Sequence, residues 1–441
     1  MKKMTLFHLS WPIFIETALF MFLGFIDVFV LSKYDDLAAS AANTANQAVN
    51  LCTLVFTVIS GASAVLISQA LGANKREQAS RIAALSIVFN LILGILISAL
   101  LAIFSRPILL SMGAQEKILD YGTEYLLIVG VFLFTQALLG TISVIIRNHG
   151  FTRVTMYVTV VMNIINTFLD IVFVLGLLGF PKLGIRGVAI ATSFSRIVGV
   201  VVLLIILFKR IEKPKIFKLL RPFPGKDMLS LLKIGIPSAF ESFNYNLSQL
   251  VVTAIVLNFL TQTELITKTY VSNIAMFFYI FTVSIGQGAQ ILVGHKVGAR
   301  DFDSAYKQGM RAFSTAFIIS MALSLLGILL RYQLMALFTK DTAVISAGAV
   351  LIILNIFVEA GRTSNIIIIS SLRGAGDVIF PTGVAIFSMW ILSTFCGYLL
   401  AVVLGMGLNG LWVAFAADEC FRGVLMLWRW RTGKWRLKRI A

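Results

Sequence analysis

Ten ionisable side chains lie inside long apolar stretches of the chain, where a charge needs a partner or a water-filled cavity. Each costs about 2.5 to 3.5 kcal/mol on membrane-insertion scales. Such residues indicate an ion path, a substrate site or an internal ion pair, and their spacing helps to separate these roles. They are Glu16, Asp27, Asp170, Arg196, Glu241, Glu359, Arg362, Asp418, Glu419 and Arg422.

Asp27 and Asp170 have no cationic residue one turn away on their own predicted helices. Both lie in the outer half of a helix that starts on the same side of the membrane, so they can face each other. Asn166 precedes Asp170 by four residues, which places its amide on the same face, and Thr192 lies at a similar depth. Two carboxylates, an amide and a hydroxyl suit Na+ and equally suit a stored proton. Carboxylates merely hydrogen-bonded to backbone in a polar crevice are the alternative.

The second half of the chain contains paired charges. Glu359 and Arg362 are spaced i, i+3, and Asp418 and Arg422 are spaced i, i+4, so each pair can meet on one helix face. Fixed internal ion pairs and contacts with a substrate both fit this spacing.

Acidic, amide and aromatic residues also accumulate in the second half. Together they suit an amphipathic organic cation, through charge pairing and cation–π contact. Hydrogen bonds between packed helices would explain many of the amides equally well. The predicted substrate-binding residues are Glu241, Asn244, Tyr245, Phe277, Gln287, Glu359 and Arg362.

The elements that must position these residues are membrane-spanning helices. With 59% apolar residues, 13% charged residues and a mean hydropathy of +0.93, the chain cannot be a soluble domain. Apolar runs of about 20 residues, the length that crosses the hydrocarbon core, recur along the chain. Pro12, in the first run, predicts a kink. The twelve runs cover about 7–32, 44–71, 82–105, 119–146, 152–178, 186–208, 228–260, 266–294, 308–330, 343–372, 377–404 and 408–430.

Positive charge predicts the orientation, because Lys and Arg accumulate in cytoplasmic connections. Most of the 37 Lys and Arg residues fall on the side that holds both termini and the basic connection 209–227. We therefore expect an integral protein of the plasma (inner) membrane with both termini in the cytoplasm. The net charge of +17 then needs no nucleic-acid partner. Three cysteines within predicted spans and three dispersed histidines predict no disulfide framework, cofactor or metal-ligand cluster.

The chain contains an internal repeat. The stretch 62–79, ASAVLISQALGANKREQA, returns with drift at 289–305 as AQILVGHKVGARDFDSA. Internal repeats of helices are a recurrent plan of secondary transporters. We therefore predict two homologous six-helix lobes, 1–215 and 216–441. Other matches fall at an offset of about 226 residues, and they pair Pro12 with Pro237, Glu16 with Glu241, Arg147 with Arg373, Gly150 with Gly376 and Arg196 with Arg422.

These features resemble the multidrug and toxic compound extrusion (MATE) family over essentially the whole chain. The resemblance rests on the WPIFIE and GFID motifs of the first span, both copies of the repeated stretch, the RNHG and LRGAGD turns and the NTFLD motif of the fifth span. It implies an all-α membrane protein, not an enzyme, with two pseudo-symmetric six-helix bundles in a V shape. Such a protein would work as a monomer in membrane lipid and export drugs or toxins against an inward flow of H+ or Na+.

Carried over residue by residue, the resemblance implies a cation-coupling site at Asp27, Asn166, Asp170 and Thr192, with Pro12 as the bending proline. A carboxylate pair favours H+, and Na+ at the same site is the alternative. Small organic cations are the expected substrates.

Two other functions are compatible with a polytopic membrane protein. A flippase for lipid-linked precursors shares the duplicated fold but commonly has a cationic cavity, whereas here seven embedded acids face three embedded bases. A membrane transferase would need His and Asp clusters near a membrane face, and the sequence offers none.

Overall fold

The protein is helical almost throughout residues 4–438, the part that a computed structural model describes, and no strand occurs within those residues. Two short 3-10 turns, Pro214–Leu220 and Lys434–Leu437, follow the last helix of each half. The helices are α1 Leu6–Ser32, α2 Asp36–Gly72, α3 Arg76–Ile103, α4 Ser105–Ser111, α5 Glu116–Val131, α6 Phe134–Asn148, α7 Thr152–Leu175, α8 Ile185–Arg210, α9 Gly225–Phe259, α10 Gln262–Gly298, α11 Phe302–Leu329, α12 Arg331–Ala336, α13 Thr342–Gly374, α14 Ile379–Val403 and α15 Gly407–Arg431.

Nine helices within residues 4–438 are long and apolar enough to cross a membrane, and α5 with α6 forms a tenth span if the pair is counted as one. The helices α9 and α15 are also long, at 35 and 25 residues, but polar residues lower their hydropathy. Each of the predicted segments coincides with helix. The predicted class, an all-α membrane protein, is confirmed.

The fourth predicted segment, 119–146, is not the single straight helix that its apolar run suggested. The helices α5 and α6 are bent by 48° at a short break. The amide of Phe134, which begins α6, donates to Ser98 Oγ of α3 at 2.9 Å. A side-chain acceptor of this kind allows a helix to break at membrane depth. Gly94, one turn before Ser98, makes room, since a Cβ there would come within 3.0 Å of Phe134 Cα.

The backbone contains the repeat that the sequence predicts. Asn74 and Gly150 adopt left-handed conformations, with φ of 58° and 87°, and so do Arg300 and Gly376, with φ of 61° and 93°. Positive φ is uncommon outside glycine. The matching positive φ angles of Asn74 and Arg300 are therefore stronger evidence for the repeat than those of the two glycines.

The chain forms two compact units. The first comprises Ile15–Leu71 and Lys75–Gly235, and the second comprises Met4–Phe14, Gly72–Asn74 and the residues from Ile236 onward. The helix α1 continues through Pro12, two residues before the boundary between the units. The lobes predicted at 1–215 and 216–441 stay a prediction.

Small side chains of α2 form part of the core of the first unit, next to the helix that carries Asp27. Ala38, Ala41 and Ala42 of α2 are at most 1% exposed and share a core with Leu31 of α1 and Tyr125 of α5. Small residues let helices approach closely within a membrane. This packing holds the C-terminal half of α1, which carries Asp27, against α2 and α5.

Candidate functional site

Three helices bring Asp27, Asn166, Asp170 and Thr192 together within the first unit, as the sequence predicts. The four residues are 4%, 0%, 0% and 1% exposed. When the NH2 group of Asn166 is turned toward the two acids, Nδ2 donates to Asp27 Oδ1 and to Asp170 Oδ2, both at 3.2 Å, and Oδ1 accepts from the Thr192 amide at 3.2 Å. The opposite orientation would point an amide oxygen at two carboxyl groups. Electrostatics therefore favours the bridging orientation.

The two carboxyl groups lie within hydrogen-bonding reach of each other. Asp170 Oδ1 is buried and accepts no hydrogen bond from any described residue. Two ionised carboxylates about 4 Å apart repel by about 4 kcal/mol at an effective dielectric constant of 20. The pair can therefore bind a proton or a monovalent cation between its oxygens.

Two neighbours of this pair are absent from the sequence-based prediction. Tyr125 of α5 is 1% exposed and donates its hydroxyl to Asn46 Oδ1 at 3.1 Å. Arg196 of α8 lies one turn beyond Thr192, and its positive charge acts on Asp27. The spacing from Thr192 to Arg196 was the available signal, since residues four apart share a helix face.

A line of polar side chains follows α7 from its N-terminal end toward Asp170. Thr155, Thr159 and Asn163 are buried at successive turns before Asn166. Thr155 donates to Glu16 Oε2 of α1 at 2.8 Å. Hydroxyl and amide groups on one face can order water and relay a proton.

Five charged residues of the second unit form what we call the charge network. Within the network, Arg362 Nη1 lies 2.6 Å from Glu359 Oε1 and Arg362 Nε lies 3.6 Å from Glu419 Oε1. Arg422 donates to both oxygens of Asp418, at 2.6 and 3.1 Å, and lies 3.2 Å from Glu419 Oε1. Each arginine thus lies within 4 Å of at least two carboxylate oxygens, and the formal charge of the network is one negative.

Neutral groups complete the charge network. Asn365 donates to Glu419 Oε2 at 3.0 Å, and Ser388 donates to Asp418. Glu359 is fully buried, and its Oε2 accepts no hydrogen bond from any described residue. Arg362 and Glu419 are the more accessible members, with side chains 22% and 13% exposed.

The predicted substrate-binding residues separate into three groups. Glu359 and Arg362 belong to the charge network, and Tyr245 of α9, 48% exposed, lies close enough to interact with its charges. Glu241, by contrast, pairs with Arg373 at 2.7 Å and accepts from Thr382 at 2.9 Å.

The remaining predicted residues lie on α9 and α10. Asn244 accepts from Trp390 Nε1 at 3.1 Å. Phe277 is 51% exposed, while Gln287 is partly buried. Residues 4–438 contain no group of three or more His, Cys, Asp or Glu side chains that could hold a metal ion.

Comparison with known proteins gives matches over nearly the whole chain. The MatE family model matches residues 12–172 and 237–399, so both halves match, each from a proline that the repeat pairs. The chain is 40% identical over 440 residues to the uncharacterized transporter YisQ of Bacillus subtilis, covering 100% of this chain and 96% of YisQ. It is 26% identical over 435 residues to a probable multidrug resistance protein NorM of Thermotoga maritima, covering 98% and 92%.

The fold matches solved structures equally broadly. A mutant of the Vibrio cholerae MATE transporter VcmN superposes with a TM-score of 0.89, covering 98% of both chains at 18% identity. A MATE structure described as being in the bent conformation gives a TM-score of 0.89, covering 97% of this chain and 94% of that chain at 18% identity.

Members of the matched family are membrane transport proteins rather than enzymes, and the chain is a protein of this class. The family match in both halves and the identity to YisQ show more. The chain belongs to the MatE family of multidrug and toxic compound extrusion transporters.

Proposed function

We propose that the protein exports amphipathic organic cations in exchange for H+, with Asp27 and Asp170 as the coupling site. One observation supports this most strongly, namely two carboxyl groups buried side by side with no described cation within 4 Å of either. Such a pair has to bind a positive charge in one state of the transporter and release it in another. The relatives described as multidrug resistance proteins support the substrate class.

We favour H+ over Na+ because of the orientation assigned to the Asn166 amide. With its NH2 group turned toward both carboxyl groups, Asn166 has its oxygen on the Thr192 amide. For that oxygen to bind Na+, the amide would have to turn. A proton needs no such rearrangement, because one carboxyl oxygen can carry it toward the other.

Coupling requires that proton binding change the conformational equilibrium, and a ligand does so only by its different affinity for two states. A proton on the pair removes the repulsion between α1, which carries Asp27, and α7, which carries Asp170. Pro12 removes one backbone hydrogen bond of α1 and favours bending there. We infer that α1 moves toward or away from α7 as the proton arrives or leaves.

The polar line along α7 supplies a route for the proton. It joins Glu16 and Thr155 at one end to Asp170 at the other through side chains that accept and donate hydrogen bonds. The route lies within one unit, so ion movement needs no contribution from the substrate-binding residues.

The substrate would bind to the second unit at Glu241, Asn244, Tyr245, Phe277, Gln287, Glu359 and Arg362. Exposed aromatic rings there offer cation–π contact, and the charge network carries one excess negative charge. A cation at Glu241 would have to compete with Arg373. Because carboxylates occupy Arg362 and Arg422, the network provides little free positive charge for an anionic lipid precursor.

Efflux from proteoliposomes tests the coupling. Purified protein is reconstituted with a cationic dye inside, and a pH gradient or a Na+ gradient is imposed. We expect a pH gradient alone to drive efflux, and Asp27→Asn to bind dye but to lose gradient-driven efflux. Efflux at the wild-type rate by a folded Asp27→Asn protein would exclude the coupling role, and efflux driven by Na+ alone would replace H+ by Na+.

We further propose that the protein lies in the plasma membrane with both termini and the connection 209–227 in the cytoplasm. Single cysteines placed in the connection should resist an impermeant thiol reagent in intact cells and react after permeabilisation. Rapid labelling in intact cells would show that the connection lies outside the cell, opposite to the proposed orientation.

A further inference from the structure

Arg196 is a charge without a fixed partner beside the carboxylate pair. It is partly buried in α8 and forms no hydrogen bond, and no ion pair within 4.0 Å, with any residue of 4–438. Thr192, one turn earlier on the same face, joins the site through Asn166. The charge of Arg196 acts on Asp27 and on Tyr125. Asp27 is therefore the carboxylate on which its charge acts, and Tyr125 is a neutral phenol that donates to Asn46.

The second copy of the repeat has an arginine at the equivalent position, on a helix that also carries acidic residues. Arg422, the repeat partner, bonds both oxygens of Asp418 and lies near Glu419. The same offset places Thr192 and Ser193 where the second unit has those two acids. The helix α8 thus offers Arg196 no carboxylate. The carboxylate on which its charge acts is Asp27 of α1, which Asn166 joins to Asp170.

We propose that Arg196 is the fixed counter-charge of the Asp27 and Asp170 pair, and that it limits this pair to one monovalent cation per transport cycle. Two carboxylates and one guanidinium carry one net negative charge, so a single H+ or Na+ makes the buried group neutral. A second cation would leave a net positive charge in a poorly solvated interior, which is unfavourable. The other facing groups are neutral, since α2 presents Asn46 and α5 presents Tyr125.

The proposal rests on the proposed function, because it takes this pair as the ion site. Removing Arg196 would leave two negative charges, and two cations would then be needed for neutrality. Arg196→Lys would keep the positive charge, so the carboxylate pair would still bind one cation. Thr192→Asp would give Arg196 a partner on its own helix, as in the second unit, and would also raise the capacity of the pair to two.

Counting protons tests this directly. Each protein is placed in nanodiscs in unbuffered, Na+-free solution, and its proton uptake between pH 8.5 and pH 5.5 is compared with that of the same protein carrying Asp27→Asn and Asp170→Asn. The difference is the uptake of the pair. We expect about one proton for wild type and for Arg196→Lys, and about two for Arg196→Gln and for Thr192→Asp. Binding of 22Na+ at pH 8.5, measured for the same proteins, shows whether Na+ can replace the proton. It also shows whether the number of ions bound by the pair is the same.

The outcomes separate the two proposals. No difference between wild type and the doubly substituted protein, in either proton uptake or 22Na+ binding, would remove the ion site and with it the role of Arg196. A clear difference with the same count in wild type, Arg196→Gln and Thr192→Asp would overturn the role of Arg196 alone. Thr192→Asp keeps the test decisive if Arg196→Gln does not fold.

Discussion

The two units treat buried charge in opposite ways, although both are copies of one repeat. In the first unit, a neutral amide joins Asp27 to Asp170, and no described cation lies within 4 Å of either. In the second unit, two arginines hold the three acids of the charge network in fixed ion pairs. A carboxylate can exchange an ion only if no permanent partner occupies it. The comparison therefore supports the proposal that ion exchange takes place in the first unit, while the charges of the second unit are paired.

Loss of one carboxylate of the Asp27 and Asp170 pair should have the largest effect on transport. Asp170→Asn leaves Asn166 without one of its two acceptor carboxylates and removes the charge that repels Asp27, so the site cannot alternate between two states. We expect gradient-driven dye efflux to fall to the level of protein-free liposomes, with dye binding retained. The same isosteric change at Asp418, a buried acid of the charge network outside the predicted substrate-binding residues, serves as the matched control. Comparable loss of coupling in Asp418→Asn would contradict the proposal that ion exchange is confined to the first unit.

The repeat-paired arginines should differ in their contribution to stability. Arg422→Gln leaves Asp418 without its cation and Glu419 with Arg362 alone, and breaking a buried ion pair costs about 3 to 5 kcal/mol. Arg196→Gln breaks no hydrogen bond with a described residue, and the carboxylate pair can regain neutrality by taking up a proton. Thermal unfolding in detergent should therefore show a large drop in melting temperature for the first variant and a small one for the second. Equal drops would mean that Arg196 is a structural partner as well.

Glu241 tests whether a paired acid of the second unit can still bind substrate. Glu241→Gln removes the charge that Arg373 faces, and we expect a roughly tenfold weaker affinity for cationic dyes, equivalent to about 1.4 kcal/mol. Glu16→Gln is the control, because Glu16 is the repeat partner and accepts from Thr155 in the first unit. Dye titration with fluorescence detection measures both. Unchanged affinity in a folded Glu241→Gln protein would limit Glu241 to its ion pair with Arg373.

Much of the fold follows from the sequence because hydropathy and length determine which segments cross a membrane. The long helices coincide with the apolar runs, and left-handed turn residues at Asn74 and Arg300 preserve the repeat. The bend between α5 and α6 could not be predicted in this way. It depends on a single acceptor, Ser98, that lies on another helix 36 residues earlier.

The candidate site was predictable where spacing within one helix sufficed. Asn166 and Asp170 share a face of α7, and the depth of Asp27 matched them before any contact was known. The ion pair between Glu241 and Arg373 joins residues 132 positions apart, so no local pattern indicated it. Arg196 was recognised as an embedded charge but not as a neighbour of this site for a related reason, since the groups on which its charge acts, Asp27 and Tyr125, lie on α1 and α5.

Ser98 and Ser324 occupy equivalent positions in the two copies of the repeat. Substituting them should have the smallest effect on stability, and this effect should differ between the two units. Ser98 is 4% exposed and accepts from the free amide of Phe134 at the break. Ser324 is 5% exposed, its Oγ bonds no described residue, and α13 continues unbroken through the position that corresponds to Phe134. Ser98→Ala would leave a buried amide without an acceptor, at a cost of about 1 to 3 kcal/mol.

Ser324→Ala would remove an unsatisfied hydroxyl from the interior, which is neutral or slightly stabilising. Melting temperatures of the two alanine variants, measured in the same detergent, should therefore fall for Ser98 and stay constant or rise for Ser324. A similar fall for both would show that the break in the first unit does not depend on its side-chain acceptor. The contrast between the units would then be confined to their charges.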